Sequence, residues 1–392
     1  MKETDLVFCY DRVYDNGVGY PNLAKFGHSW RKWDHIWPNT VKLRIIKFFN
    51  DNGFLFKETS VDSAPNGSWY PIAFSWFDFD CDYIDLIPNN SIKRIKNSEI
   101  KILFYYHEAD NPYHIKERID FLIEKHQLPN DCYVFVSANT AANNIENFIY
   151  YNDHESFFAN INRSQSSFLS TRREKEFDFS MLSRTHKWWR ATCYADLIRK
   201  GALDNSIWSY NTNYDIGDPF DQNPIDLSVL KLKGDRVKEF VAGGPYLYDD
   251  EKTHNNHRWV NEDLYRKSYF NIVLETHFDA DGSGGTFLTE KTLKPIKFGQ
   301  PFLIAGTAHS LKLLRSLGYK TFDYVLNNDY DEIEDNTERW KALSAEIKRI
   351  KNHGLKELFY ECYPDIIYNQ YAFSSRIREN IQHIVDQLNY KQ

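Results

Sequence analysis

An adjacent acid and base, Glu290 and Lys291, have the setting in this chain that best suits chemistry on a ligand. They follow a glycine-rich stretch, residues 282–285, and begin a segment that the sequence predicts to be a helix. A helix N-terminus has free backbone N–H groups and a partial positive charge, so a lysine there would complete a site for a diphosphate. The neighbouring glutamate can accept hydrogen bonds from sugar hydroxyls. The pair therefore predicts a binding site for a nucleotide sugar.

The predicted elements around this pair place it at the edge of a sheet. An apolar run, residues 269–274, is predicted to be a strand and is followed by a carboxylate, Glu275. A second apolar run, residues 301–304, follows the predicted helix. The order strand, loop, helix, strand is typical of a parallel α/β sheet, in which ligands bind beyond the carboxyl ends of the strands.

Three segments of the chain resemble motifs of the α1,3-fucosyltransferase family, and they occur in the family's order. They are residues 102–112, 179–190 and 272–306. Together they span roughly the middle half of the chain. The resemblance implies an α/β fold of the GT-B type, with two Rossmann-like parallel-sheet domains facing a cleft. It also implies an inverting glycosyltransferase that uses a nucleoside diphosphate sugar.

The resemblance assigns expected roles to individual residues. It places Arg190 and Lys291 on the donor diphosphate, and a guanidinium fork matches phosphate oxygens well. It places Glu290 on the ribose and Glu275 on the transferred sugar or its neighbouring backbone. The expected catalytic base is Glu108, which follows a predicted strand and would accept the proton of an acceptor hydroxyl. Secondary candidates in the same motifs are Asp110, His107 and Ser183.

The chain departs from the family pattern near the donor site. The family's asparagine after the first glutamate is Thr276 here, and the aromatic residue before the Glu-Lys pair is Phe287 rather than tyrosine. The loop between Glu275 and Glu290 is also longer and richer in glycine. For these reasons guanine and fucose are not carried over, and the donor base and sugar stay open.

Composition limits the class of protein. A chain of 392 residues is long for one hydrophobic core, so we expect two domains. No apolar run is long enough to span a membrane, and the N-terminus is charged, so we expect a cytoplasmic enzyme. Five scattered cysteines predict reduced thiols. The net charge of -7 offers no global electrostatic attraction for nucleic acid.

The predicted domains are residues 1–170 on the acceptor side, residues 171–365 for the nucleotide sugar, and a C-terminal helical segment, residues 366–392, that would pack back on the first domain. The polar segment 160–176 is the predicted linker. The last helix, predicted over residues 374–388, would follow a break at Pro364.

Periodicity predicts the remaining elements. Strands are expected at residues 100–106, 132–136 and 207–210, and helices at residues 115–125 and 191–200. Residues 41–49 fit a strand or a short helix and stay unassigned.

Several other patterns permit rival interpretations. Residues 279–284 followed by Glu290 fit a calcium-loop pattern, yet the preceding segment reads as a strand and not as the helix that an EF-hand needs. The acidic cluster at residues 78–82 fits either a metal motif or, as we prefer, a strand end facing water. His107, His254 and His257 lack further ligands at zinc spacing. No metal site is therefore predicted. The tryptophans Trp30, Trp33 and Trp37 fit a buried stripe better than a sugar-stacking platform.

Two further functions remain open from sequence. One is a binding module for nucleic acid or glycan that has lost its chemistry. The other keeps the enzyme but replaces a glycan acceptor with a hydroxymethylated base in phage-type DNA, and the acidic charge balance argues against that acceptor. No cofactor is expected besides the nucleotide sugar, which is a substrate.

Overall fold

A computed structural model describes residues 2–11, 13–14, 17–18, 49, 52–74, 77–85, 87–106, 108–155, 173–213, 219–248, 261–279 and 282–392. The chain forms two compact units. Unit 1 comprises Met1–Phe157, Asp281–Phe287 and Ile377–Gln392, and unit 2 comprises Phe158–Ala280 and Leu288–Arg376. The short segment Asp281–Phe287 thus belongs to unit 1 although the chain on either side of it belongs to unit 2.

Unit 1 contains a parallel sheet with the strand order β4-β1-β5-β6-β7-β8. Its elements, in chain order, are β1 (Lys2–Tyr10), the small antiparallel pair β2 (Val13–Tyr14) and β3 (Gly17–Val18), β4 (Phe54–Ser60), β5 (Ser68–Phe74), α1 (Asn89–Lys96), β6 (Ile100–Tyr106), α2 (Pro112–Lys125), β7 (Tyr133–Ser137) and β8 (Phe148–Tyr150).

The central strand β6 is buried on both faces, which explains its nearly continuous apolar sequence. Ile102 and Phe104 pack in one core cluster with apolar side chains of α1 and α2. Leu103 and Tyr105 point the other way, into a cluster with side chains from Ile377–Gln392. Each large apolar side chain buried in this way contributes about 1.5–3 kcal/mol. Unit 1 is therefore a helix–sheet–helix sandwich.

Unit 2 contains a second parallel sheet, with the order β10-β9-β11-β12. Its elements are β9 (Phe177–Ser183), α3 (Trp188–Arg199), β10 (Ile207–Tyr210), α4 (Gly234–Ala242), α5 (Glu262–Lys267), β11 (Ser268–Leu274), α6 (Glu290–Lys297), β12 (Phe302–Ala305), α7 (Ser310–Ser316) and α8 (Asn336–His353). The last helix, α9 (Leu355–Lys391), begins in unit 2, and its residues from Ile377 onward belong to unit 1.

A buried hydrogen-bond network fixes the register of this second sheet. Gln300 donates from its amide to the backbone carbonyl of Ser268 at 2.8 Å, and its side-chain oxygen accepts from Ser180 and Asn271, each at 3.2 Å. Because buried amides are costly when unpaired, the network holds β9, β11 and the turn before β12 in one arrangement.

The α/β class and the two Rossmann-like parallel sheets are confirmed. The strands predicted at residues 207–210 and 100–106 have those bounds, and the apolar run at residues 301–304 corresponds to β12, which begins and ends one residue later. The cleft between the domains stays a prediction.

Two local expectations were wrong. The helix does not break at Pro364: α9 runs through it as one helix that begins at Leu355. Proline lacks an N–H and disfavours a helix interior, but the long apolar face of α9 continues on both sides of it. The acidic cluster at residues 78–82 is not a strand end, because β5 stops at Phe74 and the cluster lies in a turn flanked by irregular backbone.

Other predictions fall on residues that the structure does not describe. These are the three tryptophans at 30, 33 and 37, residues 41–48, most of the linker at 160–176, and the histidines at 254 and 257. All five cysteines are described, and they are buried and free. No described helix combines the length and apolar character needed to cross a bilayer.

Candidate functional site

The predicted donor residues of unit 2 gather where its parallel strands end. Ser183 is the last residue of β9, Glu275 follows β11, and Arg190 is the third residue of α3. Glu290 and Lys291 are the first two residues of α6, and the side chain of Thr289 caps that helix by accepting from the Lys291 N–H. All four elements therefore contribute to one carboxyl edge, which is the edge where open α/β sheets bind ligands.

The Glu275 side chain is completely buried, and its carboxylate is saturated with donors. One oxygen accepts from the Thr289 N–H at 3.1 Å, the Thr292 N–H at 3.3 Å and the Thr292 hydroxyl at 2.6 Å. The other oxygen accepts from the Thr276 N–H at 3.0 Å and the Thr289 hydroxyl at 2.7 Å. A buried carboxylate with five donors is well compensated, and it joins the end of β11 to the start of α6.

This arrangement changes the expected chemistry at the helix start. The N–H groups of Thr289 and Thr292 are taken by Glu275, and that of Lys291 is taken by the Thr289 hydroxyl at 3.3 Å. The expectation that these N–H groups are free for a ligand was wrong, because a protein carboxylate already occupies the anion position of the helix. A phosphate would have to be bound here by side-chain cations. Contact of Glu275 with a donor sugar stays a prediction.

Two lysines converge on Thr276, the residue after Glu275. The Lys291 ammonium donates to the Thr276 hydroxyl at 3.0 Å, and the Lys187 ammonium donates to the Thr276 carbonyl at 2.9 Å. The Lys291 side chain keeps 29% of its surface exposed, so its ammonium is held in place and still reaches solvent. The carboxyl edge thus presents two cations that are oriented before any ligand binds.

Glu290 provides the acid beside these cations. Its carboxylate lies 3.3 Å from the Lys291 ammonium, and 16% of its side-chain surface is exposed. Its partial exposure leaves the carboxylate able to accept hydrogen bonds from solvent or a ligand, and its contact with sugar hydroxyls stays a prediction.

Arg190, unlike Lys187 and Lys291, is buried, and it is bonded to the backbone of unit 2. The side chain is buried, and its guanidinium donates to the carbonyls of Thr185 at 3.1 Å and Glu275 at 2.5 Å. Ser183 also donates to the Thr185 carbonyl, at 3.2 Å. Burial lowers the pKa of the Arg190 guanidinium below its ordinary value, and Glu275 opposes that shift. These contacts connect the loop after β9 to the end of β11, while contact with a diphosphate stays a prediction.

Sequence reasoning missed three cations at this edge. Lys187 contacts Thr276, Arg184 follows β9 and is exposed, and Lys294 is buried one turn after Glu290 on α6. A signal was present for Lys294, because its spacing of four residues from Glu290 puts both on one helix face. None was present for Lys187, whose contact depends on a tertiary turn.

In unit 1 the predicted catalytic residues follow β6. Glu108 is half-buried, and its carbonyl accepts from the Ala138 N–H at 3.3 Å. Asp110 accepts from the Tyr106 hydroxyl at 2.5 Å. Burial raises the pKa of Tyr106 well above its ordinary value, and both carboxylates reinforce that shift, so the hydroxyl is a donor. His107 lies outside the described residues.

The glycine-rich segment of the chain packs beside these acids within unit 1. The Asn139 amide donates to the Ala109 carbonyl and to the Ser283 hydroxyl, both at 3.1 Å. A Cβ on Gly285 would lie 1.7 Å from the Asn139 side-chain oxygen, so only glycine fits there. Gly285, which the sequence linked to a donor loop, therefore allows close packing within unit 1, beside the residues that follow β6.

The acidic cluster after β5 has partners of its own. Asp82 accepts from the Lys125 ammonium at 2.7 Å and lies 2.9 Å from the His126 ring nitrogen. Within the described part of the chain, Asp82, Asp85 and His126 bring together atoms that could hold a metal ion. The lysine and histidine contacts lower the pKa of Asp82 although burial opposes this.

The structure thus brings Ser183, Arg190, Glu275, Glu290 and Lys291 to one edge of unit 2 and places Glu108 and Asp110 at an edge of unit 1. No protein-family model matches the chain, and no curated protein matches it either. The resemblance to α1,3-fucosyltransferases accordingly stays a prediction.

Among solved structures, the chain is similar to one described as the DNA-modifying enzyme β-glucosyltransferase, in the presence and absence of its substrate uridine diphosphoglucose. The identity is 10% and the TM-score 0.32, over 96% of this chain and 100% of that chain. At this identity and TM-score the function has to be argued from the residues of the chain itself.

Proposed function

We propose that the protein is a glycosyltransferase of the GT-B type that moves a sugar from a nucleoside diphosphate sugar to an acceptor hydroxyl. The observation that carries the proposal is the convergence of the Lys187 and Lys291 ammoniums on Thr276, beside the Glu290 carboxylate, at the carboxyl edge of unit 2. Two oriented cations suit the two charges of a diphosphate, and an adjacent acid suits the hydroxyls of a ribose.

The proposed reaction is a single displacement with inversion. The acceptor oxygen attacks the anomeric carbon while Glu108 takes its proton, and the bond from that carbon to the diphosphate oxygen breaks. The sugar passes through an oxocarbenium-like state. The charge that grows on the departing diphosphate is stabilised by Lys187 and Lys291, which is the role that a divalent metal would otherwise perform. The proposal therefore includes metal independence.

The acceptor is proposed as a hydroxyl of a glycan, with a hydroxymethylated base in DNA as the second candidate. The net charge of -7 favours the glycan, because a DNA acceptor adds phosphates that an acidic protein repels.

Release of a nucleoside diphosphate from a panel of nucleotide sugars tests the proposal. The purified protein is incubated with each donor, first alone, then with simple glycosides, then with DNA that carries hydroxymethylcytosine. Product mass identifies transfer. A donor that binds should also stabilise the protein. At a hundred times its dissociation constant the free energy of unfolding increases by about 2.7 kcal/mol, and the melting temperature rises accordingly. Binding without release or transfer under any condition would favour the non-catalytic module, and absence of both binding and turnover would refute the donor site.

A variant makes the assay specific to the proposed edge. Lys187→Met removes one of the two converging cations and keeps the length of the side chain. We expect it to bind the donor more weakly, by the 1.5–3 kcal/mol typical of a charge-assisted hydrogen bond. Equal affinity in this variant and the wild type would place the diphosphate elsewhere.

A further inference from the structure

A buried lysine on α6, Lys294, has no hydrogen-bond or ion-pair partner among the residues that the structure describes. Lys294 is 6% exposed and lies four residues after Glu290, where an ion pair along the helix would be expected. The Glu290 carboxylate instead pairs with Lys291 at 3.3 Å. Among the described residues no hydrogen bond or ion pair to the Lys294 ammonium is found, and the ammonium is not one of the fully buried polar atoms without a partner, so it keeps contact with solvent. With respect to the described residues, its three donors are therefore open to solvent or to a ligand.

Two buried arginines of unit 2 show how backbone carbonyls can compensate such a charge. Arg190 donates to two backbone carbonyls. Arg339 donates to the carbonyls of Gly306, Ile333 and Glu334, at 2.8–3.1 Å. Burying an ammonium without any such contact is costly, so an unpartnered one destabilises the ligand-free protein.

The charges around Lys294 belong to the carboxyl edge described above. Glu290 and Lys291 lie on the same helix, Glu275 follows β11 and Arg184 follows β9. Burial is the main influence and lowers the pKa of Lys294 to about 8, while Glu290 and Glu275 oppose the shift and Lys291 and Arg184 add to it. The group is thus mostly charged at neutral pH and is open to stabilisation by an anion.

We propose that Lys294 is a ligand-binding residue whose ammonium pairs with the diphosphate of a bound nucleotide. The inference rests on the proposed function and extends it, because it adds a buried cation to the two that converge on Thr276. It also explains why α6 keeps the charge of Lys294 although Glu290, on the same helix, pairs with Lys291 instead. The stability lost in the empty protein is recovered when the anion binds.

Lys294→Met tests this with two opposite readouts. Methionine keeps the length of the side chain and removes the charge, so the melting temperature of the ligand-free protein should stay equal or rise. Affinity for nucleoside diphosphates, measured by calorimetry, should fall about 10- to 100-fold. A lysine with only a structural role would give the reverse: a lower melting temperature and unchanged affinity.

Lys297→Met is the matched control. Lys297 is a second buried lysine on α6, 8% exposed, with its pKa also lowered to about 8 by burial. Its ammonium lies 5.6 Å from the ring centre of Phe298, and the acid that acts on it is Glu262 rather than Glu290. The same loss of charge on the same helix should leave nucleotide affinity unchanged.

The pH dependence of binding provides a second test. The folded pKa of Lys294 is depressed, so its ammonium is lost as pH rises through about 8, and affinity should fall over that interval. Lys294→Arg keeps its charge at high pH and should bind without that fall. Because Lys175 and Lys297 have similarly lowered pKa values, the difference between the variant and the wild type is the informative quantity.

The outcomes separate this inference from the proposed function. If the wild type binds nucleoside diphosphates and Lys294→Met binds them equally well with the same pH profile, the role of Lys294 is refuted and the donor site stands. If the wild type binds neither nucleoside diphosphates nor pyrophosphate, both are refuted.

Discussion

The carboxyl edges of the two parallel sheets differ in the charge that they present. In unit 1 two acids, Glu108 and Asp110, follow β6, and the hydroxyl of Tyr106, which ends the strand, donates to Asp110. In unit 2 two lysines converge on Thr276. The acid that follows β11, Glu275, accepts its hydrogen bonds from the start of α6. The fold supplies the same kind of edge twice, and the side chains decide whether it suits proton transfer or anion binding.

The largest expected effect comes from the acidic edge. Glu108→Gln keeps the size of the side chain and removes the proposed base, so transfer should fall about 10²- to 10⁴-fold while donor affinity stays nearly constant. Steady-state kinetics and calorimetry of the same preparation check both parts.

Asp110→Asn is the control for that substitution, because Asp110 is the neighbouring acid and is engaged by the Tyr106 hydroxyl. We expect a smaller loss of turnover. Near-normal turnover in Glu108→Gln, together with an inactive Asp110→Asn enzyme, would move the base to Asp110 and leave the comparison between the two edges intact.

The second effect concerns stability at the cationic edge. Glu275→Ala leaves five donors at the start of α6 without their acceptor, so we expect a loss of about 3–5 kcal/mol of unfolding free energy. Urea unfolding monitored by circular dichroism measures it. Glu290→Ala is the control, since that partly exposed acid should affect stability much less. Similar losses in both variants would contradict a structural role specific to Glu275.

The third effect distinguishes the cations of that edge. Lys291→Ala should weaken nucleoside diphosphate binding by about 1.5–3 kcal/mol with little change in melting temperature. Arg190→Met should lower the melting temperature, because two buried carbonyls lose their donor. If Lys291→Ala unfolds the protein and Arg190→Met only weakens binding, the assignment of ligand-binding and structural cations must be exchanged.

The smallest expected effect is that of a chelator. Because lysines are proposed to stabilise the departing diphosphate, transfer measured with and without EDTA should be equal. Loss of activity that a divalent ion restores would refute metal independence. The group formed by Asp82, Asp85 and His126 and the acidic loop at Asp279 would then be the first sites to mutate.

Much of the fold could be predicted from local pattern. Continuous apolar runs such as Ile100–Tyr106 and Phe302–Ala305 are typical of strands buried on both faces, and both have the predicted type. The course of α9 through Pro364 could not be predicted, since its stability depends on packing far along the chain. The placement of residues 281–287 in unit 1 depends likewise on Asn139, which is distant in sequence.

The candidate site divides in the same way. Residue types and helix periodicity were enough to predict that Glu290 and Lys291 begin a helix at a sheet edge, because capping and apolar spacing are local properties. Only the tertiary structure decided that Glu275 occupies the helix start, that Lys187 reaches Thr276 and that Lys294 is buried with no hydrogen bond or ion pair from the described part of the chain. The physical reason is that desolvation and hydrogen-bond pairing depend on which side chains meet in space, and no spacing along the chain records that.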